Sequence, residues 1–234
     1  GIEKWGDPYL TGKIGGDLYL VAPDGSIITR IASAPAIPSE NIYTTLDKDL
    51  QLGAEKSIDG FNGAVVVMEM STGRILAMAS SPDFDPNILD PNNVNVSYMT
   101  DSPLNDPDNP QLNRAAQSSY PPGSVFKVIP MAAALESGLY TKETTYDCKH
   151  EFTELPGDPL YDWTFAKELP PSGLLNLQEA LMRSCNPWFY HIGLDLFRQN
   201  RPKDVSNMAR GFGLGTATGI GAVAEDPGSI PDPA

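Results

Sequence analysis

A serine and a lysine one helical turn apart are the residues of this chain best placed to do chemistry. Ser124 and Lys127 follow the turn-forming run Tyr-Pro-Pro-Gly at Tyr120–Gly123. Proline fixes φ and glycine frees the turn, so a helix is predicted to begin close to Ser124 and to continue until Gly138 ends it. At positions i and i+3 the hydroxyl and the amine share one face, which is the layout of a serine nucleophile with a lysine base.

Lys127 can act as a base only if the pKa of its ammonium falls well below the solution value. Burial against the apolar residues that follow it and the positive end of a helix both lower that pKa. The backbone N–H of Ser124 is predicted to lie at the same helix terminus, where it can donate to the oxyanion formed when the hydroxyl attacks a carbonyl. The pattern therefore predicts an activated serine nucleophile.

A second short motif, Ser-Cys-Asn at Ser184–Asn186, supports this interpretation. A Ser-x-x-Lys spacing alone is expected about once by chance in a chain of this length. An exposed N-cap serine followed by a surface lysine would give the same spacing. That alternative is weakened because the chain has a single Ser-x-x-Lys and because Ser-x-Asn follows it. Ser39–Asn41 also fits Ser-x-Asn, but it lies in a proline-rich linker and we assign it no role.

Together these motifs resemble those of the serine transpeptidases called penicillin-binding proteins, specifically the class B, elongation-type, PBP2-like group. The resemblance extends over nearly the whole chain and includes many matches in the same order. Besides Tyr-Pro-Pro-Gly-Ser-x-Phe-Lys and Ser-Cys-Asn-Pro-Trp-Phe-Tyr, the matches are Gly1–Lys4 with Tyr9–Gly12, Gly63–Met68 with Gly73–Pro82, Asn113–Ala115, and Phe212–Gly215 with Thr218–Ile220.

The resemblance implies an α/β (α+β) fold of the serine β-lactamase/transpeptidase type. An antiparallel sheet with flanking helices and a helical subdomain is expected to bring Ser124 and Ser184 to one cleft. Residues 1–44 are expected to form the hairpin and linker region between a non-catalytic pedestal and the catalytic domain. Residues 45–234 are expected to form a partial transpeptidase domain that is incomplete at its C-terminal end.

Local patterns predict the main elements of this fold from turn residues, helix caps and apolar periodicity. In chain order they are a hairpin around Pro23–Gly25, a helix over Thr45–Lys56, strands over Ala64–Glu69 and Ile75–Ala79, a long loop over Asp83–Pro110, and a helix over Leu174–Phe197 that carries the second motif.

The resemblance also implies a reaction and its partners. Ser124 would attack the D-Ala-D-Ala carbonyl of a peptidoglycan stem peptide, with Lys127 as general base and no cofactor or metal. Ser184 would relay a proton to the leaving nitrogen, and Asn186 would hold Lys127 and the substrate amide. β-Lactam antibiotics would acylate Ser124. A membrane glycosyltransferase and the elongation machinery are the expected partners, at the extracytoplasmic face of the bacterial cytoplasmic membrane.

The chain departs from the family pattern at its third motif. Lys-Ser/Thr-Gly, which supplies an oxyanion donor and a carboxylate-binding lysine in the family, does not occur in the sequence. We expect a piece of a longer protein, with reduced or no activity by itself; a naturally shortened relative is the competing explanation. The first residue, a glycine rather than a methionine, favours the former.

Two other functions remain open. A serine β-lactamase must also hydrolyse its acyl-enzyme, and class A enzymes activate the water for this step with a glutamate on a loop after Ser-x-Asn. Here Glu225 is the one glutamate after Asn186, and no Glu-x-x-x-Asn pattern accompanies it, so hydrolysis is disfavoured. A non-catalytic binding or scaffold module is supported by the missing third motif. It is disfavoured because all four residues of the first two motifs, Ser124, Lys127, Ser184 and Asn186, are retained.

Composition sets the outer limits. The 234 residues, 41% of them hydrophobic, can bury one full core, and a net charge of −14 from 16 basic and 30 acidic residues argues against nucleic-acid binding. No stretch approaches the roughly 20 apolar residues of a membrane span. Cys148 and Cys185 are too few for a disulfide framework, and both are expected to be free and packed.

The remaining polar residues have structural explanations. His191 lies on an apolar helical run and is expected to be a core residue without a catalytic role. Cys148 and His150 form a poor zinc site without further ligands. Asp106 and Asp108 lack the glycine and bidentate glutamate of a calcium loop. Asp162, in the Asp-Trp pair that recurs in the family, is expected to contribute packing.

Overall fold

The computed structural model describes residues 1–90, 92–94 and 105–232. The chain forms two compact units, one made of Gly1–Ser118 with Thr218–Asp226 and the other of Ser119–Ala217 with Pro227–Ala234. Helices and antiparallel strand pairs build both, so the predicted α/β class with antiparallel strands is confirmed. The predicted boundary between residues 44 and 45 stays a prediction. Among the described residues, no helix combines the length and the apolar character that crossing a membrane requires.

The first unit begins with a helix, α1 (Ile2–Leu10), and a hairpin. Strands β1 (Gly16–Val21) and β2 (Ile27–Ala34) pair antiparallel around the predicted turn. Within that turn Gly25 has φ 88°, and the Asp24 carboxylate accepts a hydrogen bond from the Ser26 N–H at 2.9 Å. Positive φ is tolerated by glycine, and a short acidic side chain readily bonds the backbone two residues on, which explains why the turn forms here.

A helix packed on a strand pair forms the core of the first unit. Helix α2 (Lys48–Ile58) covers the antiparallel strands β3 (Gly63–Met68) and β4 (Ile75–Ser81). Both strands agree with the prediction to within two residues. The helix begins three residues later than predicted because the Asp47 side chain is the cap, accepting hydrogen bonds from two N–H groups of the first turn.

The last helix of this unit is the short α3 (Arg114–Gln117). Its buried Arg114 donates to Asn62 Oδ1 at 2.7 Å and to the Asn109 carbonyl at 3.1 Å. The long loop predicted over Asp83–Pro110 lies partly outside the described residues. Its described part contains one 3-10 turn at Pro86–Leu89.

The second unit is mostly helical and carries both motifs. After a 3-10 turn over Gly123–Lys127, the elements are α4 (Val128–Ser137), β5 (Thr145–Cys148), β6 (Glu151–Phe152), β7 (Leu160–Tyr161), α5 (Trp163–Ala166), β8 (Gly173–Asn176), α6 (Leu177–Arg183), α7 (Asn186–Arg198) and α8 (Asp204–Gly211). Strand β5 pairs antiparallel with β8, and β6 with β7.

The largest buried apolar cluster lies in this second unit, among α4, α6, α7 and β5. Trp188 is fully buried at its centre and donates its indole N–H to the Leu175 carbonyl at 3.1 Å. The rings of Tyr140 and Tyr146 pack against it at centroid distances of 5.7 and 5.4 Å. Burying side chains of this size stabilises a fold by several kcal/mol, so the cluster is a rigid support for α7 and the motif at its start.

The prediction of one helix over Leu174–Phe197 is wrong. Residues up to Asn176 form β8, and the helical pattern is interrupted at Ser184, which has φ 55° and ends α6. A new helix starts at Asn186, with Pro187 in its first turn. Proline fits a helix start but not a helix interior, where it clashes with the preceding turn, so the break falls just ahead of Pro187.

The prediction of two free cysteines is also wrong. Cys148 and Cys185 are both fully buried and form a disulfide between β5 and the junction of α6 with α7, with a Cα–Cα distance of 6.3 Å. Counting cysteines could not reveal this, because the pairing depends on two segments that the fold brings together.

Candidate active site

Ser124 and Lys127 lie at the two ends of one turn of 3-10 helix. Gly123 starts this turn with φ 58°, and α4 continues from Val128 until Gly138 ends it with φ 75°. The first turn is therefore 3-10 rather than α-helical. Residues three apart eclipse each other in a 3-10 helix, and Lys127 Nζ lies 3.4 Å from Ser124 Oγ.

The break between α6 and α7 delivers the second motif to the same amine. Lys127 Nζ lies 2.6 Å from the Ser184 carbonyl oxygen, 3.0 Å from Ser184 Oγ and 2.6 Å from Asn186 Oδ1. The Ser184 hydroxyl donates to Ser124 Oγ at 2.8 Å. All four sequence-predicted site residues are thus joined by one hydrogen-bonding network, although the two motifs are far apart in the chain.

The left-handed conformation of Ser184 is what makes this arrangement possible. Its backbone N–H still bonds the Leu181 carbonyl at 3.1 Å, while its own carbonyl is free to turn toward Lys127 rather than along the helix. In a continuous helix that carbonyl would accept a bond from the next turn. The break that sequence reasoning missed is therefore part of the site.

The environment lowers the pKa of Lys127. Burial is the main cause, because a half-buried ammonium loses hydration, and the negative charge of Asp162 opposes it by raising the pKa. The Phe189 ring lies 5.6 Å from Nζ and contributes an apolar wall. The neutral amine of Lys127 is thus more populated near neutral pH than that of a lysine in water.

Asp162 belongs to the site although the sequence suggested packing alone. Its carboxylate is buried and accepts a hydrogen bond from the Asn186 N–H at 2.8 Å and one from the Thr164 hydroxyl at 2.6 Å. The Asp-Trp-Thr sequence is typical of an N-cap and could have predicted the start of α5. It could not have predicted the bond to Asn186, which is 24 residues away.

The disulfide includes Cys185, the middle residue of the second motif. The Sγ atoms of Cys148 and Cys185 both lie within 4.8 Å of an Asp162 carboxylate oxygen. Thiolates would be needed for these three residues to hold a metal ion, and the disulfide removes both. Cys185 instead ties the Ser184–Asn186 turn covalently to β5.

The two histidines have protein partners outside this network. His191 is half-buried and its Nδ1 lies 2.9 Å from Glu154 Oε1, while its ring stacks on Tyr146 at 4.6 Å. His150 Nε2 lies 2.9 Å from the Leu169 carbonyl oxygen. His191 is therefore a hydrogen-bonded structural residue, more exposed than the core position that the sequence suggested.

Comparison with known proteins relates this chain to named enzymes. The family described as the penicillin-binding protein transpeptidase domain matches residues 63–234. The peptidoglycan D,D-transpeptidase MrdA of Escherichia coli K12 is 33% identical over 234 residues, covering 99% of this chain and 35% of that protein. PbpA of Mycolicibacterium smegmatis, also named a peptidoglycan D,D-transpeptidase, is 37% identical over 188 residues, covering 75% of this chain and 36% of that protein.

Solved structures give the same result. PBP2 from Helicobacter pylori, in complex with MreC, matches with a TM-score of 0.84 and 28% identity over 99% of this chain and 41% of that one. The ceftriaxone acyl-enzyme of penicillin-binding protein A from M. tuberculosis matches with a TM-score of 0.64 and 34% identity, covering 76% and 40%. The chain spans about a third of the length of the curated relatives it matches. It belongs to the penicillin-binding protein transpeptidase family.

Proposed function

We propose that this chain is part of a class B, elongation-type peptidoglycan D,D-transpeptidase and supplies its nucleophile. The observation that carries the proposal is the position of Lys127 Nζ, between the Ser124 hydroxyl and the polar atoms of Ser184 and Asn186. A base within reach of a nucleophile, oriented in turn by further groups, is the general geometry of covalent catalysis by a serine.

The contacts of Lys127 suit a neutral amine. Such an amine has two N–H donors and one lone pair. The Ser184 carbonyl and Asn186 Oδ1, each 2.6 Å from Nζ, can only accept and therefore take the two donors. The lone pair is then left for the serine hydroxyls. Lys127 can accept the Ser124 proton directly. It can also accept it through Ser184 Oγ, which contacts both residues, once the Ser184 hydroxyl turns its own proton from Ser124 to Nζ.

The proposed reaction follows from this proton path. Ser124 Oγ bonds to the carbonyl carbon of a D-Ala-D-Ala stem peptide while its proton passes to Lys127. The C–N bond then breaks, and terminal D-Ala leaves with a proton relayed through Ser184. An amine from a neighbouring strand attacks the acyl-enzyme and frees Ser124. A β-lactam follows the same first step, but its leaving group stays tethered.

Asn186 has two tasks in this scheme. Its Oδ1 orients Lys127, and we propose that the same side chain also meets the substrate amide. The oxyanion and the substrate carboxylate require the Lys-Ser/Thr-Gly motif, which this sequence lacks. Loss of one oxyanion donor costs roughly 10²- to 10³-fold in rate, so we expect the chain alone to react slowly or not at all.

We further propose the setting of the full-length protein. Peptidoglycan stem peptides and β-lactams are its ligands, and it works with a membrane glycosyltransferase and the elongation machinery at the extracytoplasmic face of the cytoplasmic membrane. The support is by family: H. pylori PBP2 was solved with MreC, and another relative in a peptidoglycan synthase complex.

Hydrolysis of the acyl-enzyme, as in a β-lactamase, is less well supported. Glu225 follows Asn186 in the sequence, and its carboxylate accepts hydrogen bonds from Thr218 and Gly219 rather than standing free to activate a water. A non-catalytic binding or scaffold module is the second candidate, and the labelling experiment distinguishes it from the transpeptidase.

Covalent labelling tests the proposal. A fluorescent penicillin should label the full-length protein at Ser124, as mapped by peptide mass spectrometry, and the adduct should outlast a β-lactamase acyl-enzyme by orders of magnitude. Ser124→Ala should abolish it, whereas Ser137→Ala, at the far end of α4, should not. Labelling that survives Ser124→Ala would reject the nucleophile. No labelling of the wild type would favour the scaffold, and rapid turnover the hydrolase.

A further inference from the structure

We infer that Asp162 is a positioning residue for the Ser124 site: its buried carboxylate fixes the Ser184–Asn186 turn, and the Asn186 side chain of that turn aligns Lys127. The inference rests on the function proposed above, because it concerns the same reacting groups. The hydrogen bonds of the carboxylate run to Asn186 and Thr164. Asp162 therefore acts through Asn186 and through its electric field, not by contact with the substrate.

Asn186 is held at two points by consecutive residues. Asp162 Oδ1 accepts from its backbone N–H at 2.8 Å, and the Tyr161 carbonyl accepts from its side-chain Nδ2 at 3.3 Å. With the amide nitrogen directed at Tyr161, the amide oxygen must face the other way, where it lies 2.6 Å from Lys127 Nζ. Displacing Asp162 would thus displace the oxygen that aligns Lys127.

Asp162 is itself fixed more firmly than a helix cap requires. It is 1% exposed, its N–H bonds the His150 carbonyl at 2.7 Å, and its carboxylate accepts from both the N–H and the hydroxyl of Thr164. The helix it caps, α5, has four residues. A serine or asparagine would cap such a helix without burying a charge, which is costly. The additional bond to Asn186 and the charge are what distinguish aspartate here.

The negative charge of Asp162 acts on Lys127. Burial lowers the pKa of Lys127 and the negative charge of Asp162 raises it, so Asp162 partly offsets the effect of burial. Within the described part of the chain, the groups in contact with Nζ are Ser124, Ser184, Asn186 and the Phe189 ring, all uncharged. Next to Asp162, the two cysteines are oxidised and do not titrate.

The test replaces the carboxylate in two ways in the full-length protein. Asp162→Asn keeps the size of the side chain, and Asp162→Ser keeps an oxygen that caps α5. The rate of acylation by a fluorescent penicillin is measured against pH. Both variants should move the acid-side midpoint of this profile to lower pH, because Lys127 loses the charge that raises its pKa. The plateau rate should fall by about tenfold, because Asn186 is less well placed.

Asp195→Asn is the matched control, since that carboxylate is also hydrogen-bonded, to the Tyr140 hydroxyl at 2.8 Å. It should change neither midpoint nor plateau. A purely structural Asp162 would lower the plateau and the melting temperature but leave the midpoint in place, and that result would overturn the inference. If the Asn variant does not fold, the Ser variant gives the same readout. A wild type that is not acylated at Ser124 would instead reject the proposed function.

Discussion

The two turns that carry the paired serines are built in opposite ways. The Ser124 turn is exposed, starts without a side-chain cap, and depends on the positive φ of Gly123 and on its continuation into α4. The Ser184 turn is held from outside, by the buried disulfide at Cys185 and by Asp162. Ser124, the proposed nucleophile, thus lies open to solvent, while the groups that contact Lys127 from the Ser184 turn are fixed to the core.

This difference suggests a division of tasks. If Ser124 is the nucleophile, as we propose, it must meet a carbonyl that arrives from solvent, and burying it would exclude that substrate. The atoms that align a base act only if their positions are defined to a fraction of an ångström. The large apolar cluster around Trp188 and the disulfide give the Ser184 turn that definition. Changes on the two sides should therefore have different signatures.

The largest expected effect is on the shared contact between the two turns. Lys127→Met keeps the length of the side chain but removes the proposed base, and acylation of the full-length protein should fall about 10³-fold, within the usual range for general base catalysis. Stopped-flow or gel-based labelling measures it. Lys142→Met, at an exposed lysine paired with Glu143, should have no effect. Retention of more than a tenth of the rate by Lys127→Met would place the base elsewhere.

The next largest effect is expected from removing the disulfide that holds the Ser184 turn. Replacing both cysteines by alanine releases the Ser184 turn from β5 and should lower the free energy of unfolding by about 2–4 kcal/mol, as measured by urea denaturation. Acylation should slow as well, and adding a reductant should then change the double variant far less than the wild type. Full stability and full acylation rate after replacement would show that Asp162 and the core suffice to hold the turn.

A third effect concerns protonation. Because burial lowers the pKa of Lys127, the acylation rate should rise with pH through a midpoint below the value of about 10.4 for lysine in water. The sign follows from the reacting form: the neutral amine, which accepts the proton of Ser124, becomes more populated as pH increases. A rate profile from pH 5 to pH 11 checks this. A midpoint of the rate profile at the pKa of lysine in water would mean that the Lys127 amine is as fully hydrated as a surface lysine.

The same division explains what the sequence could and could not predict. Ser124 and Lys127 could be predicted from the sequence, because a spacing of three residues places both side chains on one face of the same helical turn. Ser184 and Asn186 could be predicted through the family resemblance. The disulfide, the break at Ser184 and the hydrogen bond between Asn186 and Asp162 all depend on contacts between segments that are distant in the sequence. The two cysteines, for example, are 37 residues apart. Periodicity and composition report on neighbours in sequence, so they predicted a continuous helix and free thiols.

The smallest expected effect tests the open turn by itself. Gly123 has φ 58°, and a Cβ placed on it would meet open space. Gly123→Ala should therefore cause no clash, only the cost of a left-handed alanine, about 1 kcal/mol. That cost can be relieved by a shift of the 3-10 turn, which would move Ser124 relative to Lys127. We expect a loss of about 1 kcal/mol in stability together with a several-fold slower acylation.

Gly138→Ala is the matched control for this change, because Gly138 has φ 75°, also faces open space, and ends the same stretch of helix. Its stability should fall by a similar amount, again about 1 kcal/mol, while acylation stays at the wild-type rate. Urea denaturation and labelling on the same samples give both quantities. If the two variants lose stability and activity in equal measure, the glycine before the nucleophile has no special role. If Gly123→Ala alone slows acylation, the backbone of the exposed turn sets the position of Ser124, just as the disulfide and Asp162 set that of Ser184.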